Sequence, residues 1–98
     1  MPYLTQNITT SSCSIDGSAF ILFEKSGEIL SLNETGSFIW RQIRRNCTTQ
    51  QIIAAVLSEY DGDEQEVADS TVEFIRDLAN YHAVLVSDSR FEGVDENV

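Results

Sequence analysis

The chain has 98 residues, 42% of them hydrophobic, and its sixteen acidic and six basic residues give a formal net charge of −10. That length supports one modest core and leaves little room for a deep active site with its supporting shell. The negative field opposes phosphate backbones and anionic membranes, which sets nucleic acid and membrane aside as partners and favours a basic peptide or a basic protein face.

In chain order, Thr9–Ser14 is polar and β-tolerant, and Asp16-Gly17 offers a turn. Ala19–Phe23 is a continuous apolar run too short for a helix, Lys25-Ser26-Gly27 is a second turn, and Glu28–Leu32 follows as a third strand. Short turns between the runs predict an antiparallel meander. Asn33 then changes the period: it is a strong helix N-cap, and Glu34 beside it complements the positive end of the helix dipole. The helix predicted to about Arg45 turns Phe38, Ile39, Trp40 and Ile43 toward the core and places Arg41, Arg44 and Arg45 in its last turns.

Thr48-Thr49-Gln50-Gln51 has the spacing of a capping box, and Ile52, Ile53, Val56, Leu57 and Tyr60 repeat as an amphipathic stripe. Asp61-Gly62-Asp63 breaks that helix. A third is predicted from about Glu64 to Asn80, with Val67, Thr71, Phe74, Ile75 and Leu78 on one side. Val84-Leu85-Val86 is a short apolar close. Residues 1–86 are thus expected to form one domain and the polar, acidic stretch 87–98 a disordered tail. Strands first and helices after define an α+β class, a three-stranded antiparallel sheet followed by three helices.

Chemistry finds few candidates. Cys13 and Cys47 belong to no CxxC pair, and the single His82 completes neither a zinc site nor a thiol nucleophile pair with them. The N-terminus lacks the basic and apolar blocks of a signal peptide, so two reduced thiols in a cytoplasmic protein are expected. Counted from Asp61, a calcium loop needs Gly at its sixth position and Glu at its twelfth; Glu66 and Val72 stand there. The five glycines are scattered and form no phosphate loop. No cofactor and no catalytic residue are expected. A winged helix-turn-helix that reads DNA fits the element order, but the second and third helices carry many carboxylates and only Arg76 as a base.

What remains is a sheet edge. If Glu28–Leu32 lies at the edge, its unpaired amides and carbonyls accept an added peptide strand, and Val67, Thr71, Phe74 and Leu78 form the facing wall unless they simply pack the core. A proline at Leu30 would be the disruptor of such pairing. Glu66, Asp69, Glu73 and Asp77 would attract Lys or Arg on the guest or on a partner protein.

Gly27-Glu28-Ile29-Leu30-Ser31-Leu32-Asn33-Glu34-Thr35-Gly36, followed by Ile39-Trp40, resembles the glycine, Leu-Asn and Thr-Gly core of PqqD-like proteins. The capped helix Thr48–Tyr60 and the helix bearing Val67, Phe74, Ile75 and Leu78 extend the resemblance over about Phe20 to Val86. It implies a winged-helix-like fold that binds the leader segment of a ribosomally made precursor peptide as a strand beside the third strand, against the third helix. Mapped here, the site is Glu28, Ile29, Leu30, Ser31 and Leu32 with Val67, Ser70, Thr71, Phe74, Ile75 and Leu78. The wording around Asn33 leans toward the lasso-peptide type. There a separate leader peptidase of the cysteine-protease type removes the leader and an ATP-dependent cyclase follows; another modified-peptide pathway, such as one using radical-SAM chemistry, is the alternative. The resemblance departs at Tyr81-His82-Ala83-Val84, where the family often carries a basic residue and glycine before its closing apolar residues.

Overall fold

The computed structural model describes residues 2–43 and 46–91. Their elements run β1 (Tyr3–Gln6), β2 (Thr10–Ile15), β3 (Ser18–Phe23), β4 (Ile29–Ser31), α1 (Glu34–Gln42), β5 (Cys47–Thr48), α2 (Thr49–Glu59), α3 (Glu64–Asn80) and β6 (Val84–Ser87). The expected meander is present as an antiparallel sheet of order β2-β3-β4, and the three expected helices follow it.

Local chemistry accounts for the turns. Asp16 (φ 53°) and Gly17 (φ 85°) are both left-handed, the pattern of a two-residue hairpin whose twist matches its strands. Between β3 and β4, Gly27 (φ 78°) donates its N–H to the Phe23 carbonyl at 2.7 Å, and the Phe23 N–H bonds Glu28 at 2.9 Å. Ala19 and Ile21 of β3 are buried, whereas β2 is exposed over nearly its whole length, so the β2–β3 hairpin projects from the core as a wing.

A second sheet, of order β5-β1-β6, goes beyond the expected architecture. Its central strand joins the two ends of the chain: Tyr3 pairs with Ser87 and Gln6 with Val84, while Leu4 faces Cys47 on the other side. The apolar close is therefore a strand. Leu4 and Val84 are buried in the core with Ile21, Leu32, Ile39, Trp40, Ile43, Ile52, Val56, Ile75 and Leu78. The Gln6 side chain donates to the Trp40 carbonyl at 2.9 Å and ties this sheet to α1.

The helix ends follow their caps. The α2 capping box is formed: the Gln51 N–H donates to the Thr48 hydroxyl at 3.2 Å and the Thr48 N–H to the Gln51 side chain at 2.9 Å. Asp63 caps α3 by accepting from the Glu66 N–H at 3.0 Å. α1 stops earlier than its predicted end near Arg45, because Ile43 leaves helical geometry (ψ 97°) as its side chain turns into the core; Arg44 and Arg45 lie outside the described residues. Of the expected tail, Ser87 belongs to β6, Arg90 lies over the Tyr3 ring at 5.6 Å, and the Phe91 backbone exchanges hydrogen bonds of 2.6 and 3.1 Å with the Asn46 side chain. Residues 92–98 lie outside the described residues. Among those described, no helix is long and apolar enough to cross a membrane.

The end of α3 explains the departure at Tyr81-His82. The His82 N–H bonds Ala79 at 3.0 Å and the Ala83 N–H bonds Leu78 at 2.9 Å, a Schellman closure that puts His82 in the left-handed region (φ 65°). Glycine adopts that conformation freely, whereas a side chain there costs about 1 kcal/mol or more. His82 is exposed, so removing its side chain sacrifices little packing. His82→Gly is expected to stabilise the fold by about 1 kcal/mol in chemical denaturation; unchanged or lower stability would contradict the strained closure.

Candidate functional site

β4 pairs with β3 on one side only, and among the described residues no strand covers its other edge. The register sets which backbone groups stay open. The Leu32 N–H bonds Ala19 at 2.9 Å and the Phe23 N–H bonds Glu28, so the Leu32 amide, the Glu28 carbonyl and, between them, both backbone groups of Leu30 face β3. Ile29 and Ser31 then direct theirs to the open edge. Leu30, proposed above for a proline probe, points the wrong way: proline there breaks the bond to Ile21 inside the sheet, and the edge probe belongs at Ser31.

The step from β4 into α1 fixes this edge against the helices. Leu32 is buried, Asn33 caps α1 by accepting from the Gly36 N–H at 2.7 Å, and Ser37 is buried beneath them. The Ser37 hydroxyl accepts from the Ala19 N–H at 2.7 Å and donates to the Leu32 carbonyl at 3.3 Å, so one side chain joins β3, β4 and α1. Gly36 is the close-approach position. A Cβ there would lie 2.9 Å from the Phe74 ring and 3.0 Å from the Asn33 side chain, so glycine lets α3 lay Phe74 against the first turn of α1.

Two adjoining clefts flank Phe74. The smaller, about 270 Å³, is lined by Leu30, Ser31 and Leu32 on one side and Phe74, Asp77, Leu78 and Tyr81 on the other. The larger, about 480 Å³, lies toward the N-terminus of α3, with Val67, Ser70, Thr71 and Phe74 along one wall. Asn33 and Phe74 line both, so the clefts form one groove along α3 beginning at the β4 edge.

Most of the predicted site residues are thereby brought together: Leu30, Ser31, Leu32 and Leu78 at the smaller cleft, Val67, Ser70 and Thr71 at the larger, and Phe74 between. Three stand apart. Ile29, 67% exposed, turns its side chain to the opposite sheet face beside Cys13, Phe20 and Leu22, and offers the groove only its backbone. Glu28 is exposed at the start of the strand, and Ile75 lines neither cleft but packs in the core. Sequence reasoning passed over Tyr81 as a groove residue and took Asn33 only as a cap and Ile39, Val56 and Tyr60 only as core. The missed signal is a second stripe on α3. Positions 63, 67, 70, 74, 77 and 81 follow helical spacing one step aside from the core stripe Thr71, Ile75 and Leu78.

The groove is acidic. Asp61, Asp63 and Glu66 border the larger cleft, Asp77 borders the smaller, and among the described residues no lysine or arginine lines either. Of the four carboxylates expected to attract a basic guest, Glu66 and Asp77 are placed to do so. Asp69 and Glu73 are exposed and line neither cleft, and Asp69 accepts a bond from Gln65 at 2.9 Å. An acidic α3 opposes a role as a DNA-reading helix.

The motif around Asn33, with this sheet and these helices, defines the class: the chain belongs to the PqqD family, whose description, coenzyme PQQ synthesis protein D, matches residues 18–84. Among solved structures it is similar to TbiB1 in complex with the TbiA(beta) leader peptide (TM-score 0.76, 24% identity, covering 90% of this chain and 99% of that one). It is also similar to lasso peptide synthetase B1 complexed with the leader peptide (TM-score 0.75, 18% identity, 85% and 98%). At these identities the likeness is one of fold. No curated protein matches.

Gly36→Ala tests the contact that shapes the groove. Alanine gains about 1 kcal/mol of helix propensity, whereas crowding the Phe74 ring costs about 1–3 kcal/mol. The expected result is a folded variant of equal or lower stability with displaced Phe74 ring resonances. A net gain of about 1 kcal/mol with unmoved Phe74 signals would show that the ring does not rest on Gly36.

Proposed function

We propose that this chain binds the leader segment of a ribosomally synthesised precursor peptide as an added strand on β4, against α3, and presents it to separate modifying enzymes. The observation that carries the reading is the pairing of an open strand edge with a groove along the adjacent helix that has Phe74 at its centre and carboxylates at its border. Main-chain bonds to Ile29 and Ser31 hold an extended guest in register, and the clefts beside Phe74 select its side chains. Family membership and the likeness to two structures that contain leader peptides support the same assignment.

Both of those structures belong to TbiB1 or lasso peptide synthetase B1, and this chain spans nearly the whole of each, which favours lasso-peptide biosynthesis over another modified-peptide pathway. In that setting the recipients are a leader peptidase and then a cyclase, in the cytoplasm. The role proposed for this chain is recognition without catalysis. Cys13 is exposed on the wing and Cys47 is buried in the other sheet, its thiol 3.7 Å from the Leu4 carbonyl, so the two thiols do not share a site.

The test is calorimetric titration with leader segments of candidate precursor peptides. Phe74→Ala removes the wall common to both clefts and is expected to weaken binding by about 2 kcal/mol or more. Ser31→Pro deletes one edge donor and is expected to cost about 1 kcal/mol or more of affinity while the fold persists. Leader affinity unchanged in both folded variants would exclude the β4–α3 groove.

A further inference from the structure

We infer that the larger cleft is a subsite for one long basic side chain, arginine or lysine, of the bound peptide. The inference rests on the leader-binding reading and specifies what that leader must carry.

Two independent features lead there. The first is Thr71. It is only 2% exposed, and its hydroxyl makes no hydrogen bond among the described residues. Yet among the described residues no buried side-chain oxygen or nitrogen is walled off without a partner, so the hydroxyl keeps some exposure, and Thr71 lines this cleft. A polar group held this way beside Ile39, Val56, Val67 and Phe74 is a waiting hydrogen-bond partner. The second is the border of the same cleft, where Asp61, Asp63 and Glu66 stand with no basic counter-charge among the lining residues.

The lining chemistry favours one class of guest. An acidic side chain meets three carboxylates. A purely apolar one covers the Thr71 hydroxyl without replacing its hydration, which costs about 1–3 kcal/mol. A long basic side chain satisfies all three parts: its methylenes lie on Ile39, Val56 and Phe74, and its N–H groups reach the hydroxyl and the carboxylates. Arginine has five donors in one plane and meets both kinds of acceptor together. Because Asn33 and Phe74 border both clefts, a guest paired to Ile29 and Ser31 passes over them to enter this one. The basic residue therefore flanks the strand-forming stretch of the leader, on the side toward the α2–α3 turn.

Random peptides displayed on their own messenger RNA and selected against the full chain supply the probe, with amide shifts at Ile29 and Ser31 identifying those that occupy the edge. The expected result is that edge-binding peptides share an Arg or Lys at a fixed position. Replacing it by norleucine should lower affinity for the native chain about tenfold. The same replacement should leave affinity for Asp61→Asn/Glu66→Gln nearly unchanged. Both substitutions are at exposed positions and keep the Asp63 cap, so folding is preserved. Thr71→Val, of matching shape, should by itself lower affinity for the basic peptide but not for its norleucine counterpart. Edge-binding peptides without a shared basic residue, or an equal norleucine penalty on the native and doubly substituted chains, would overturn the subsite while leaving leader binding intact. Selected peptides that shift neither Ile29 nor Ser31 would overturn the edge reading, and the subsite with it.

Discussion

The rest of the structure depends on the short step between β4 and α1. Within six residues the chain leaves a sheet, buries Leu32, caps a helix with Asn33 and brings the Ser37 hydroxyl beneath the Ala19 amide and the Leu32 carbonyl. An unsatisfied buried amide at Ala19 would cost about 1–3 kcal/mol, a large share of the stability of a domain this small. The same step admits the Phe74 ring of α3 at Gly36, where a Cβ would crowd it. The open edge and the groove beside it are therefore built by one junction.

α3 serves two surfaces at once. Ile75 faces the core alone, Thr71 and Leu78 are buried at the boundary and touch the clefts, and Val67, Phe74 and Tyr81 lie one step round the helix and line the groove. This division lets the guest's wall be rigid without being buried. The acidic surface has a second consequence. An uncovered strand edge invites pairing with another copy of the chain, and a net charge of −10 opposes that encounter while favouring a basic guest. On the proposed reading, edge pairing supplies a register that any extended chain can adopt, and the groove chemistry at Phe74, Thr71 and the carboxylates discriminates among guests.

Much of this was legible in the residues because it rests on local chemistry. Asp16-Gly17, Gly27, Asn33 and the Thr48–Gln51 box each mark a boundary through contacts only a few positions apart, and the structure places turns and caps there. The second sheet was not legible. β1 is polar at half its positions, β5 is two residues long, and the pairing of Tyr3 with Ser87 joins segments that carry no mutual signal in one sequence. The site was partly legible for a related reason. Periodicity showed which side of α3 is apolar but not where core ends and groove begins, so Ile75 was grouped with Phe74 and Tyr81 was passed over. The strand itself was right, while the alternation of its hydrogen bonds moved the edge donors to Ile29 and Ser31 and turned the Ile29 side chain to the far face.

That alternation gives the most direct measurement of the central claim. Amide hydrogen exchange across residues 28 to 32 should be recorded with and without the leader peptide. The account predicts that the Ile29 and Ser31 amides, open to solvent in the free chain, slow strongly on binding, while the amide of Leu30, already bonded to β3, changes little by comparison. Uniform slowing across the segment, or no slowing at Ile29 and Ser31 under saturating leader, would contradict a guest strand on β4.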